Sequence, residues 1–192
     1  LARSIEAAAA GDIVRGAETG RHAALWSSLP REGSFEFKTA LGDTVTIRYA
    51  LPKDYDPARS WPVLLCEPDD GVSSHDTLKM EIFAWIGAAR DFVRICPDRR
   101  IGAEFQLATP SSAGELRKLV REIRRTIHAD SDRFFLFGHR AGGDAAWNAA
   151  MNQPDLFTGV IVLSGYPQVP YPHQALTLLL ANLERLPVLT VW

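Results

Sequence analysis

The sequence is poor in the features that most quickly assign a protein. It has two cysteines in 192 residues, Cys66 and Cys96, and no CxxC pair. Its five histidines are scattered, so no metal-ligand spacing emerges and neither a metal nor a cofactor is expected. No sign of charge dominates. The 21 basic and 23 acidic residues leave a net charge of −2, which offers no footing for nucleic acid or an anionic membrane. The longest apolar stretches, such as LTLLLANL, fall well short of the roughly 20 residues that a bilayer span needs. Each cysteine lies inside an apolar, strand-like run, so buried free thiols are expected rather than a disulfide, and the pair says little about redox compartment. The chain starts at Leu1 rather than Met and stops at Trp192 within an apolar run. It therefore reads as a piece of something longer, and no targeting segment is inferred or excluded.

The 46% hydrophobic, 23% charged composition is that of a globular domain with a sizeable core. Residues 1 to about 30 are Ala-rich but interrupted by Gly11, Gly16 and Gly20, and read as a loosely helical lead-in. The folded domain is expected over 31–192. It opens with SFEFKTALGDTVTIRYALP, in which Phe35 and Phe37, then Val45, Ile47, Tyr49 and Leu51, alternate with other residues. That is an antiparallel strand pair with one buried face, and Gly42-Asp43 suits a two-residue turn.

Beyond the turn-rich KDYDPARSWP the pattern changes. VLLC (63–66), FVRIC (92–96), FFLF (134–137), VIVL (160–163) and VLTV (188–191) are apolar runs without strict alternation. Such runs suit strands buried on both faces of a parallel sheet. Helical patterns separate them near 76–89, at 113–128, at 141–152 and at about 174–183. In the second, Leu116, Leu119, Val120, Ile123 and Ile127 form a stripe, and Ser112 with Glu115 has capping-box spacing. Its basic residues Arg117, Lys118, Arg121, Arg124 and Arg125 read as a solvated face. Alternating strands and helices imply right-handed crossovers and a doubly wound sheet, whose ligands bind beyond the carboxyl ends of the strands.

The stretch FLFGHRAGG (135–143) carries the most information. An apolar strand rises to Gly138; His139, Arg140, Ala141, Gly142 and Gly143 follow, and then the small-residue helix DAAWNAA. This is a strand, sharp turn and helix, the setting in which hydrolases mount a nucleophile on a strained turn with small residues two before and two after it.

With RYALPKDYDPARSWPVLL before it, GHRAGGDAAWNAAMNQPDLFTGVIVLSG around it and LERLPVLTVW after it, the chain resembles the α/β-hydrolases, in the group of phospholipase/carboxylesterases and dienelactone-type hydrolases. The resemblance covers roughly residues 34–192. It implies a three-layer fold with a mostly parallel sheet, an N-terminal antiparallel hairpin and an end after the seventh of its strands. It also implies acyl-bond hydrolysis of the esterase, lipase or peptidase kind. The residues depart from that chemistry. Arg140 stands where the family has its serine, and a guanidinium is not a nucleophile. Where the family has a His-Gly-Gly type oxyanion loop, this chain has CEPDDGVSS, placing Glu67, Asp69, Asp70 and Gly71 where negative charge develops. The family's acid and base follow the seventh and eighth strands and are not assignable here.

Three readings stay open. Arg140 could pair with Glu67, Asp69 or Asp70 and close a former active site. Arg140 and Ala141, at a helix N-terminus, could hold a small acyl, anionic or acidic ligand. Ser73, Ser74 or Ser164 could serve an unrecognised hydrolytic site, although none has a base beside it in sequence. His75, His139 and His173 are read as structural or exposed. The loop SGYPQVPYPHQ (164–174) is either a Pro-rich connector or an aromatic-lined wall of the cleft.

Overall fold

A sheet of seven strands forms the middle layer, in the order β1-β2-β4-β3-β5-β6-β7. The computed structural model describes residues 26–39, 42–98, 110–167 and 179–192, with backbone alone for Ala88, Ala89 and 110–113. The strands are β1 Glu32–Lys38, β2 Thr44–Ala50, β3 Trp61–Glu67, β4 Val93–Pro97, β5 Ala129–His139, β6 Gly159–Leu163 and β7 Val188–Val191. β1 pairs antiparallel with β2, and β2 antiparallel with β4; the other pairs are parallel. The helices are α1 Ser74–Leu78, α2 Ile82–Trp85, α3 Ala88–Asp91, α4 Pro110–Thr126 and α5 Ala141–Asn152.

The apolar runs become strands because they are covered twice. All seven residues of β3 are buried. Val63 and Leu65 join the larger core on one face, with the α4 stripe Leu116, Leu119, Val120 and Ile123 and the α5 alanines Ala146, Ala149 and Ala150. Leu64 and Cys66 join a smaller core on the other face, with Leu78, Phe83, Cys96 and Phe137. The alternating hairpin keeps one dry face instead, where Phe37, Val45, Ile47 and Tyr49 enter the larger core.

Local details differ from the sequence expectations. The single helix expected near 76–89 is three short ones, broken at the turn around Lys79–Glu81 and at Gly87, whose φ is +75°. The turn between β1 and β2 is not a two-residue turn: the strands end at Lys38 and resume at Thr44, closed by Thr39 N–H donating to the Asp43 carbonyl. α4 starts at Pro110, so Ser112 lies inside the helix rather than capping it. The basic residues of α4 disperse: Arg117 pairs with Asp155 at 2.9 Å, Lys118 donates to the Lys38 carbonyl, and Arg125 lies 3.9 Å from Glu122. Residues 1–25 of the lead-in, His173 and the start of the last predicted helix lie outside the described residues; residues 179–181 of that helix are helical. Of the lead-in, Trp26 is buried and stacks on His128 with ring centroids 4.0 Å apart.

Both cysteines are free and buried. Burial pushes both thiols up, out of reach of ionisation at neutral pH. We expect neither to react with a thiol-specific disulfide reagent in the folded chain, and both to react once denatured. The unfolded thiols ionise around pH 8.5 and the folded ones do not. Protons are therefore bound more tightly in the fold, and conformational stability should fall as pH rises above that value. Denaturant titrations at pH 7 and pH 9.5 would show it, and a Cys66→Ala/Cys96→Ala variant should lose that part of the slope.

Candidate functional site

The site is built at the carboxyl end of the central strands. β5 ends at His139 and α5 begins at Ala141, leaving Arg140 alone to make the turn. Its φ of 51° and ψ of −119° lie where a non-glycine residue is strained. Two backbone bonds hold it there. Its N–H donates to the Leu163 carbonyl at 2.8 Å, and its carbonyl accepts the first helical bond from Asp144 N–H at 3.0 Å.

Glycines make this turn sterically feasible. A Cβ on Gly138 would fall on the Gly142 carbonyl, and one on Gly142 would fall on the carbonyl of Glu67 at the end of β3. Gly143 also faces Gly165 at close range: a Cβ on Gly165 would lie 2.6 Å from the Gly143 backbone. The first turn of α5 is thus wedged between the ends of β3 and β6. Two further clamps hold the segment after β6 against α5. Asp144 accepts from Tyr166 N–H at 2.9 Å, and Trp147 Nε1–H donates to the Gly165 carbonyl at 3.2 Å. Gly165 and Asp144 were not singled out from sequence. The Ser-Gly pair closing VIVLSG was the available signal for Gly165.

Asp69, in the loop after β3, reaches into this turn. One carboxylate oxygen accepts from Ala141 N–H at 3.2 Å and from Asp70 N–H at 2.8 Å. The other lies 3.7 Å from Arg140 Nε and 3.8 Å from His139 Nδ1. The Asp69 side chain is 13% exposed, whereas that of Arg140 is 70% exposed. Of the three carboxylates considered from sequence, Asp69 is the one within ion-pair distance of Arg140. Glu67 is buried and contributes its backbone carbonyl to the glycine contact. Asp70 and Gly71, with φ +72°, form the turn that carries the chain away. An open depression lies over the turn, lined by His139, Arg140, Ala141, Asp144, Ser164 and Tyr166.

The candidate serines sit in other roles. Ser73 caps α1, and its hydroxyl is bonded to Asp76 at 2.7 Å. That bond and the neighbouring His75 hold the Asp76 carboxyl below the usual carboxylate range. Here the acid lies between Ser73 and His75, whereas a catalytic triad needs the imidazole in the middle. Ser74 is buried and donates to Asp98. Ser164 is exposed on the rim of the depression with a φ of 53°. Among the described residues, none of these three hydroxyls is hydrogen-bonded to a histidine. Among the described residues no group of three or more His, Cys, Asp or Glu could hold a metal ion, and no helix is long and apolar enough to cross a membrane.

The wedge makes a contrast between two kinds of glycine measurable. Gly142→Ala must push backbone against backbone and should cost about 3 kcal/mol or prevent folding. Gly114→Ala, with nothing near its Cβ and a place within α4, should stabilise by about 1 kcal/mol. Chemical denaturation of both variants tests the assignment.

No protein-family model and no curated protein sequence matches this chain. Many solved structures do. The S-formylglutathione hydrolase of Staphylococcus aureus superposes with a TM-score of 0.63 at 15% identity, over 83% of this chain and 75% of that one. A thermostable esterase gives 0.61 at 17% identity, over 83% of this chain and 46% of that one. A fluorophosphonate-binding serine hydrolase of Staphylococcus aureus gives 0.56 at 16% identity, over 70% of this chain and 56% of that one. The chain thus spans about half the length of two of these three proteins. At such identities the likeness is one of architecture, and the architecture is the α/β-hydrolase fold.

Proposed function

We propose that this chain is a pseudo-hydrolase: an esterase-like scaffold whose nucleophile turn is closed by its own side chains rather than open to an acyl substrate. The observation that carries this reading is the placement of Asp69. In a hydrolase of this fold, the N–H of the residue after the nucleophile is one of the donors that stabilise the oxyanion. Ala141 holds that position, and its N–H is taken by the Asp69 carboxylate at 3.2 Å. An anion of the protein occupies the place where the reaction would develop one. Arg140, in the strained position of the nucleophile, supplies a cation 3.7 Å from the same carboxylate and no attacking atom.

The two departures support each other. A carboxylate brought to the helix N-terminus is stabilised by the amides there, and the arginine adds charge complementarity. The amide bonds contribute most, because the Arg140 side chain is largely in water and a pair of that kind is worth about 1 kcal/mol or less. A second reading, in which the depression holds a small acyl or anionic ligand, draws on the exposed Arg140 at its rim. Such a ligand must compete with Asp69 for the Ala141 amide, which favours the closed reading in the native chain.

The native chain should neither hydrolyse p-nitrophenyl acetate nor take up a fluorophosphonate label. Arg140→Ser alone should stay inert, because Asp69 still fills the amide; a blocked oxyanion donor costs about 10²–10³ in rate. Saturable labelling of the native protein at any serine would sink the proposal.

Stability measurements probe the same cluster separately. Asp69→Ala removes the acceptor of two amide bonds and should cost about 2 kcal/mol. Arg140→Ala should change stability by about 1 kcal/mol or less. Added acetate should then raise the melting temperature of Asp69→Ala by more than that of the native chain. Equal costs for the two substitutions would mean that the amide bonds are not what closes the turn.

A further inference from the structure

A second concavity lies away from the turn at Arg140, where the sheet passes from under α1. The strand registers put Glu32 and Ser34 of β1, Arg48 and Ala50 of β2, and Arg94 of β4 on one face. α1 covers part of that face, and His75, Leu78 and Lys79 form a wall beside it. The result is a groove of about 610 Å³, open solvent at its mouth included.

Its charges do not cancel. Arg48 lies 3.3 Å from Asp98, Lys79 lies 3.6 Å from Glu32, and His75 lies 3.4 Å from Asp76. Arg94 is different. It donates through Nη1 to the Leu78 carbonyl and lies over the Phe83 ring, 5.6 Å from its centroid. Its Nε is buried without an acceptor. Among the described residues no carboxylate comes within ion-pair distance of it, and Glu32 acts on it only at longer range. A partly buried guanidinium stays protonated, and leaving it without a counter-charge is costly. Desolvation pulls its pKa down, as expected for a cation held out of water.

We propose that this groove binds a small organic monocarboxylate, with Arg94 as its charge partner and the side chains of Ala50 and Leu78 against its apolar part. A planar guanidinium fork matches a carboxylate with two parallel hydrogen bonds. One uncompensated cation suits one negative charge. A phosphate dianion would bring a second charge close to Glu32. The site is independent of the reading given to Arg140.

The test is titration calorimetry on the full chain with sodium butyrate, against inorganic phosphate and butylammonium chloride at matched ionic strength. Butyrate should bind and the other two should not. Arg94→Gln should weaken butyrate about tenfold or more. Because that residue is partly buried, the exposed Ser34→Trp gives a second variant, which should fill the groove and abolish binding while the fold is kept. No butyrate binding, butyrate binding that survives Ser34→Trp, or tighter binding of phosphate would each overturn the assignment.

Discussion

The structure depends on one close approach of backbone to backbone. Gly138, Gly142 and the carbonyl of Glu67 meet where the ends of β5 and β3 and the start of α5 converge. Nothing larger than hydrogen fits on either glycine. Because α5 is pressed against the sheet there, Ala146, Ala149 and Ala150 can seal the core with almost no side chain. Because the strand must then turn in one residue, Arg140 is forced to positive φ. The strain at the turn is therefore a consequence of packing below it, and the identity of the residue on top is not what sets it.

On the pseudo-hydrolase reading proposed above, that separation is what lets the scaffold outlast the chemistry. The wedge of glycines is maintained by sterics alone, and it presents whatever side chain occupies position 140 above the sheet. The Ala141 amide beneath it needs an acceptor whether or not a substrate ever arrives, since a helix N-terminus leaves its first N–H groups without intrahelical partners. Asp69, mostly shielded from solvent, meets that need from within the chain.

Much of the layout was legible in the sequence, for physical reasons. Doubly covered strands must be apolar along their whole length, so VLLC, FFLF and VIVL announced β3, β5 and β6. The glycine spacing around Arg140 announced the turn, because no other residue tolerates that contact. What escaped was whatever depends on the partner rather than the residue. Gly165 mirrors Gly143 across 22 positions of sequence, and Asp144 reaches the Tyr166 amide over the same gap. Glu67, Asp69 and Asp70 looked equivalent as letters; strand pleating and loop direction sent Asp69 alone to Arg140. Arg94 lies within FVRIC and drew no reading from sequence, and only the strand register shows which side chains share its face. The break of the 76–89 segment into three helices was foreshadowed by Gly87 alone.

β7 is wired to the turn at Arg140. β7 pairs with β6 on one side, and its Leu189 and Val191 are exposed along with the following Trp192. The Val191 carbonyl accepts from Ser164 N–H at 2.7 Å, and the adjacent Leu163 carbonyl accepts from Arg140 N–H at 2.8 Å. A single peptide unit, Leu163–Ser164, thus joins β7 to the strained residue, donating to one and accepting from the other. Fraying at β7 would release the amide proton of Ser164 to solvent, and hydrogen exchange at that one position becomes a gauge of how firmly β7 is held beside the turn.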